Sequence, residues 1–218
     1  MANRVVVALI VILLTSCRGG QKEHKLNQIA VEEISDSSLI FDGTTLKGWE
    51  ITNFGPQGAV YVSGGRIILG TGDGCTGITW KGDFPVSNYE VSLDAMRVDG
   101  NDFFCGMTFP VGKYPCTLIV GGWGGTTVGL SSIDGRDASE NETTTLRKFD
   151  KNRWYNIKLI VSDSKIVASI DSSTVVDFAF SGEKLSIRPE VELSRPFGIA
   201  SWRTTAALKN IRIKRLNN

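Results

Sequence analysis

A single histidine, His24, is present in 218 residues, and it stands in a polar stretch near the start of the chain. Histidine acid–base pairs and Ser-His-Asp triads are thereby excluded from the patterned part of the sequence. Long apolar runs are missing as well. The longest, residues 5–14, falls short of the roughly 20 residues that an ordinary membrane-spanning helix needs. No run of convincing length carries a helical period, which argues against a bundle or an α/β fold. Cysteine is scarce, with 4 residues, and none of the spacings is that of a zinc site. Charge of one sign is also lacking: the formal net charge is +1. Without a basic patch or stripe, nucleic acid is a poor partner.

The charged, apolar and small residues at the N-terminus have a pattern of their own. Arg4 precedes the apolar run, which ends in Leu14-Thr15-Ser16-Cys17. Charge, a short apolar core and small residues before a cut are the parts of a secretory signal. The tetrapeptide resembles the bacterial lipobox, in which the cysteine is acylated. The expected organisation is a lipoprotein signal peptide at 1–16, lipidated Cys17 and a polar tether at 17–37, and one domain at 38–218. Export and lipid anchoring to a bacterial cell envelope follow, with the membrane engaged through the N-terminal lipid. Three cysteines then remain, Cys75, Cys105 and Cys116, an odd number for an oxidising compartment. Two hairpin registers are open between residues 109 and 116. A loop symmetric about Gly112 and Lys113 sets Cys116 opposite Phe109. A turn over residues 109–112 brings Cys105 and Cys116 opposite each other and permits a disulfide.

Residues 38–218 read as many short alternating strands separated by glycine turns, which predicts an all-β, two-sheet antiparallel sandwich. Its centre is the stretch 101–145. Strands are predicted at 102–109, 116–121 and 126–132, and the last opens into a polar run holding Asp134, Arg136, Asp137, Glu140, Asn141 and Glu142. In Gly121-Gly122-Trp123-Gly124-Gly125, four glycines allow close backbone approach and expose one aromatic plate. Aromatic faces stack on sugar rings, and nearby carboxylates and amides bind hydroxyl groups. Candidate catalytic residues are Asp102, Asp134, Asp137, Glu140 and Glu142. Candidate substrate-binding residues are Asn101, Trp123, Arg136, Asn141, Trp202 and Arg203. Hard oxygen ligands in this number would also suit a divalent cation, calcium or magnesium.

Specific motifs lie toward both ends of the domain. Leu39-Ile40-Phe41-Asp42-Gly43 leads to Leu46-Lys47-Gly48-Trp49, and Asn88-Tyr89-Glu90-Val91 leads to Arg97. Farther on come Asn152-Arg153-Trp154-Tyr155-Asn156-Ile157, and then Gly198 followed by Leu208-Lys209-Asn210-Ile211-Arg212-Ile213. In these segments the chain resembles the 3-keto-disaccharide hydrolase domain family, formerly a domain of unknown function. The resemblance implies a jelly roll of the concanavalin A-like lectin/glucanase type. It departs in the middle. The family's arginine after the Asn101 motif is missing, residues 114–121 carry no carboxylate, and Ala200 and Trp202 stand where the family has glutamine and histidine.

Two functional classes follow. The first is an exported hydrolase or lyase acting on glycosidic bonds, with 3-keto sugars implied by the resemblance. The second is a lectin-like domain that binds carbohydrate through Trp123, Trp202 and Arg203 without cleaving it. A weaker third reading is an envelope interaction protein. Fold alone does not choose among them.

Overall fold

Residues 89–99 alternate in character, and the alternation decides which side of the molecule each side chain faces. Tyr89, Val91, Leu93 and Ala95 are fully buried, while Glu90, Ser92 and Asp94 lie on the opposite face. The computed structural model describes residues 37–217. Among these, fifteen strands occur. They begin with β1 (Ser37–Leu39), β2 (Trp49–Ile51), β3 (Val60–Ser63), β4 (Arg66–Leu69) and β5 (Cys75–Trp80). The middle of the chain forms β6 (Tyr89–Asp99), β7 (Cys105–Val111), β8 (Tyr114–Gly122), β9 (Thr127–Ser131) and the short β10 (Thr145–Leu146). The remainder forms β11 (Trp154–Val161), β12 (Lys165–Ile170), β13 (Ser173–Ala179), β14 (Gly198–Trp202) and β15 (Thr205–Arg215).

The strands make two antiparallel sheets. One runs β13-β12-β11-β6-β15-β4-β3, with β1 also paired to β15, and the other runs β10-β9-β8-β7-β14-β5-β2. The expected sandwich is therefore what the chain forms. Its first and last strands lie side by side, Ser37 opposite Lys214 and Leu39 opposite Arg212. A bulge in β15 between Lys209 and Arg212 places Asn210 at φ +54°, a left-handed conformation that asparagine tolerates better than most residues.

The core fills the space between the sheets with Tyr89, Tyr155, Phe104, Phe109 and Phe197 among its largest buried side chains. Burying a large apolar side chain of this kind stabilises by roughly 1.5–3 kcal/mol. Polar contacts from both ends of β6 cross the layer. The Tyr89 hydroxyl donates to the Pro110 carbonyl at 2.6 Å. At the other end of β6, the Arg97 guanidinium donates to the carbonyls of Gly121 at 3.1 Å and Gly125 at 2.8 Å. Arg97 is only 5% exposed and lies over the Phe104 ring, 5.2 Å from its centroid. Burial pulls its pKa down, and the charge of Asp102 opposes that shift.

The structure decides the open hairpin register and shifts one strand boundary. Cys116 pairs with Phe109 and Cys105 with Val120, so the hairpin is the symmetric one about Gly112 and Lys113. All three thiols, Cys75, Cys105 and Cys116, are free and buried, and the Cys105–Cys116 disulfide does not form. The strand expected from residue 102 begins at Cys105, because residues 102–104 form the bend that leads into it. One short helical segment lies between β13 and β14, and Pro189 begins it. The segment is a 3-10 helix, Pro189–Ser194, and proline at the first position removes only an N–H that has no helical partner. The signal peptide, Cys17 and the tether up to residue 36 lie outside the described residues.

Candidate functional site

The outward face of the seven-stranded sheet is built from small side chains. On β7 and β8 the core takes Cys105, Met107, Phe109, Cys116, Leu118 and Val120, which leaves Gly106, Thr108, Thr117 and Ile119 for the other side. The same alternation on β9 leaves Gly129 and Ser131, and on β14 it leaves Ala200 and Trp202. A cleft of about 230 Å³ lies on this face. Its floor includes Thr117, Ile119, Ser131 and Cys75. Phe103, Trp123 and Trp202 supply aromatic walls, and Asp102, Arg188, Glu190 and Val191 complete the rim.

Each wall has a distinct support. Trp123 stands at φ +46° in the glycine turn and is 42% exposed. Gly121 and Gly125 take φ +78° and +104°, and a Cβ on Gly121 would stand 2.5 Å from the Arg97 guanidinium. Only glycine both adopts that backbone and lets the guanidinium reach the two carbonyls. Trp202 is anchored by its N–H, which donates to the Phe103 carbonyl at 3.0 Å. Asp102 receives the Phe103 N–H on Oδ1 at 2.7 Å. Among the described residues its Oδ2 has no hydrogen-bond donor.

The opposite rim is the strap 184–194, which is stitched to the polar loop. Ser132 and Ser186 exchange two backbone hydrogen bonds, at 2.6 and 3.1 Å. The Asp134 N–H donates to the Lys184 carbonyl at 2.9 Å, and the Lys184 N–H donates back to Asp134 Oδ1 at 2.8 Å. Arg188 pairs with Asp137 and with both oxygens of Glu190. Those hydrogen bonds hold the Glu190 carboxyl below its usual range, and in return they raise the pKa of Arg188. Cys75 beneath them is pushed up to about 12, by burial first and by the charge of Glu190 second.

Of the residues singled out from sequence, Asp102, Trp123 and Trp202 line the cleft. Asp137 stands behind the rim, where its Oδ1 accepts from the Ser131 and Ser132 hydroxyls, each at 3.1 Å. Asn141 is turned inward. Its amide donates to the carbonyls of Leu130, Arg136 and Asp137, and its Oδ1 accepts from the Thr143 N–H and hydroxyl. This asparagine holds the loop to β9. Arg136 and Glu142 form an exposed ion pair at 2.9 Å, and Glu140 and Asn101 are exposed away from the cleft. Arg203 lies over Trp202, 5.7 Å from the ring centroid, and pairs with Asp73 at 2.7 Å. The acidic loop thus spends its side chains on separate contacts. Among the described residues no group of three or more His, Cys, Asp or Glu side chains is placed to hold a metal ion.

Sequence reasoning missed Arg188 and Glu190, which reach the cleft across more than fifty residues of chain. It missed Thr117, Ile119 and Ser131 for a different reason. Their outward positions follow from the alternation on β8 and β9, but only once the register is known.

Solved structures with the same architecture fall at low sequence identity. A Bacillus subtilis protein of unknown function with a galectin-like fold is similar at a TM-score of 0.59 and 12% identity, over 82% of this chain and 94% of that one. The Crh5 transglycosylase in complex with NAG is similar at 0.58 and 15%, over 84% and 85%. SCLam, a non-specific endo-beta-1,3(4)-glucanase of family GH16, is similar at 0.54 and 10%, over 84% and 92%. At such identities the likeness concerns the fold, a galectin-like or concanavalin A-like sandwich. No curated protein matches the chain in sequence. Residues 36–214, nearly the whole of the described sandwich, match the 3-keto-alpha-glucoside-1,2-lyase-like domain, and the chain belongs to that family.

Proposed function

We propose that this carbohydrate-active β-sandwich cleaves glycosidic bonds of 3-keto sugars by elimination, with Asp102 as the base. The observation that carries the reading is a carboxylate with one unengaged oxygen, Asp102, in the same cleft as Trp123 and Trp202. The tryptophans offer faces on which a sugar ring stacks. A ketone at C3 acidifies the proton on C2. Asp102 takes that proton, the C2–H electrons form the C1–C2 double bond, and the C1–O pair leaves on the departing oxygen, which gains a proton from water. Direct hydrolysis ordinarily uses two carboxylates in acid and base or nucleophile roles. Glu190 is ill suited to a proton-donor role because Arg188 holds it ionised. One free carboxylate therefore favours elimination. The family and sugar-bound neighbours such as the NAG complex support a carbohydrate ligand.

The test is release of a chromophore from a glucoside and from its 3-keto derivative by the purified protein. Release from the keto sugar alone is expected, with a loss of roughly 100-fold or more in Asp102→Asn and a raised KM in Trp123→Ala. Unchanged turnover in Asp102→Asn overturns the assignment. The lectin-like reading rests on the aromatic walls of the cleft and on a Glu190 whose oxygens are both engaged by Arg188. It is the outcome if sugars bind saturably and nothing is released. The proposed site of action is the bacterial cell envelope, facing the periplasm or at the cell surface, reached by acylation of Cys17. Replacing Cys17 with serine should abolish incorporation of a labelled fatty acid and release the protein from membranes.

A further inference from the structure

Resting on the carbohydrate reading above, we infer that the cleft accepts a single neutral or amine-bearing sugar ring and rejects uronic acids. Size sets the first half of the inference. About 230 Å³ is below the roughly 300–1,000 Å³ of pockets for drug-sized ligands, so one ring is held and any further chain lies outside. Charge sets the second half. Asp102 and Glu190 line the cleft, and Asp137 stands directly behind the rim. The cations that face them are Arg188 and, from below the glycine turn, Arg97. Three carboxylates against two guanidinium groups leave an excess negative charge.

Neither cation is free to receive a ligand carboxylate. Arg97 is buried on backbone carbonyls, and Arg188 already faces both Asp137 and Glu190. Arg203, beside Trp202, is paired with Asp73. Recognition of a carboxylate usually needs an arginine fork turned toward it, and none is offered here. A ring bearing a carboxylate would meet the unengaged oxygen of Asp102, and like charges brought together select against the wrong ligand. A protonated amine on the ring would meet the same oxygen favourably.

Binding of the methyl glycosides of glucose, glucuronic acid and glucosamine to the purified protein, followed by ligand-observed NMR and calorimetry at low and high salt, tests this. The glucuronide should bind at least tenfold more weakly than the glucoside, and the glucosaminide at least as tightly as the glucoside. Added salt should narrow the gap. Asp102→Asn should raise glucuronide affinity several-fold, and so should Glu190→Gln, which leaves Arg188 with a single carboxylate. Glucuronide binding equal to or tighter than the glucoside overturns the inference while leaving a carbohydrate site in place. If none of the three sugars nor a 3-keto glucoside binds, the carbohydrate reading fails and the inference fails with it.

Discussion

The outward faces of the two sheets follow the same period of two and are built to opposite ends. On the eight-stranded sheet the outward side chains are long and charged, and they pair across strands. Lys158 meets Glu90 at 3.3 Å, Lys165 meets Asp177 at 2.7 Å, and Asp94 accepts from the amides of Asn156 and Asn210 at 2.9 and 2.7 Å. On the seven-stranded sheet that face carries glycine, threonine, serine and alanine, with its charges at the rim. Long paired side chains finish a surface, since they leave no room above it. Short ones make a floor, and loops must then come from elsewhere to form walls. The bend at 102–103, the Trp123 turn and the strap do so here, while the polar loop holds the strap in place, and that is why a run of carboxylates in the sequence serves largely as scaffolding.

The comparison can be broken most severely at Arg97, the buried group on which the Trp123 turn rests. Arg97→Met leaves the Gly121 and Gly125 carbonyls buried without a donor. It should cost about 3 kcal/mol in urea unfolding, since hydrogen bonds from charged donors contribute about 1.5–3 kcal/mol each. Sugar affinity should fall in the same variant. A cost below about 1 kcal/mol would mean that the turn does not depend on this contact.

Filling the floor comes next. A Cβ on Gly129 would stand 3.0 Å from the Ala138 carbonyl and 3.2 Å from Thr143. Gly129→Val should therefore push the polar loop off β9 and destabilise by about 2 kcal/mol. The same measurement with no change would show the loop to be loosely seated.

A smaller effect separates the cleft from its surroundings by pH. The Cys75 thiol keeps its proton in the folded state up to about 12, while in the unfolded chain it ionises near 8.5. The unfolded state therefore binds fewer protons in that window, and stability falls as pH rises. Between pH 9 and 11 the loss through Cys75 should be about 1 kcal/mol per pH unit, and Cys75→Ala should show a correspondingly shallower decline in urea midpoints. Equal slopes would refute the assignment.

The smallest effect is expected on the other sheet. Lys158→Ala removes a half-exposed pair with Glu90 and should change stability by under about 0.5 kcal/mol. A larger loss would show that the outer charges of this sheet matter more than its surface character implies.

Much of the fold was legible because burial imposes the alternation directly on sequence. Tyr89, Val91, Leu93 and Ala95 share one face by their spacing alone, and the segment around Lys209 to Ile213 announced the closing strand. The site was legible in part. Trp123 stood out because four glycines flank it, and Asp102 and Trp202 were named from the same central and closing motifs. Arg188 and Glu190 gave no local signal, since their role arises from a contact with Asp137 that chain topology creates. Asn141 misled for the converse reason. An asparagine beside carboxylates reads as solvated until its four backbone partners are seen. The disulfide alternative hinged on a register, and two residues of loop, Gly112 and Lys113, decided it.

The contacts of Tyr89 with Pro110 and of Arg97 with the glycine turn have a mechanical consequence. Apolar packing between two sheets resists separation, but the driving force itself has no direction. Eight residues of one strand separate these two polar contacts, or about 26 Å at the usual rise. Two fixed points that far apart act as dowels. They set both the offset and the rotation of one sheet on the other, so the floor of the cleft cannot shear against the layer that supports it.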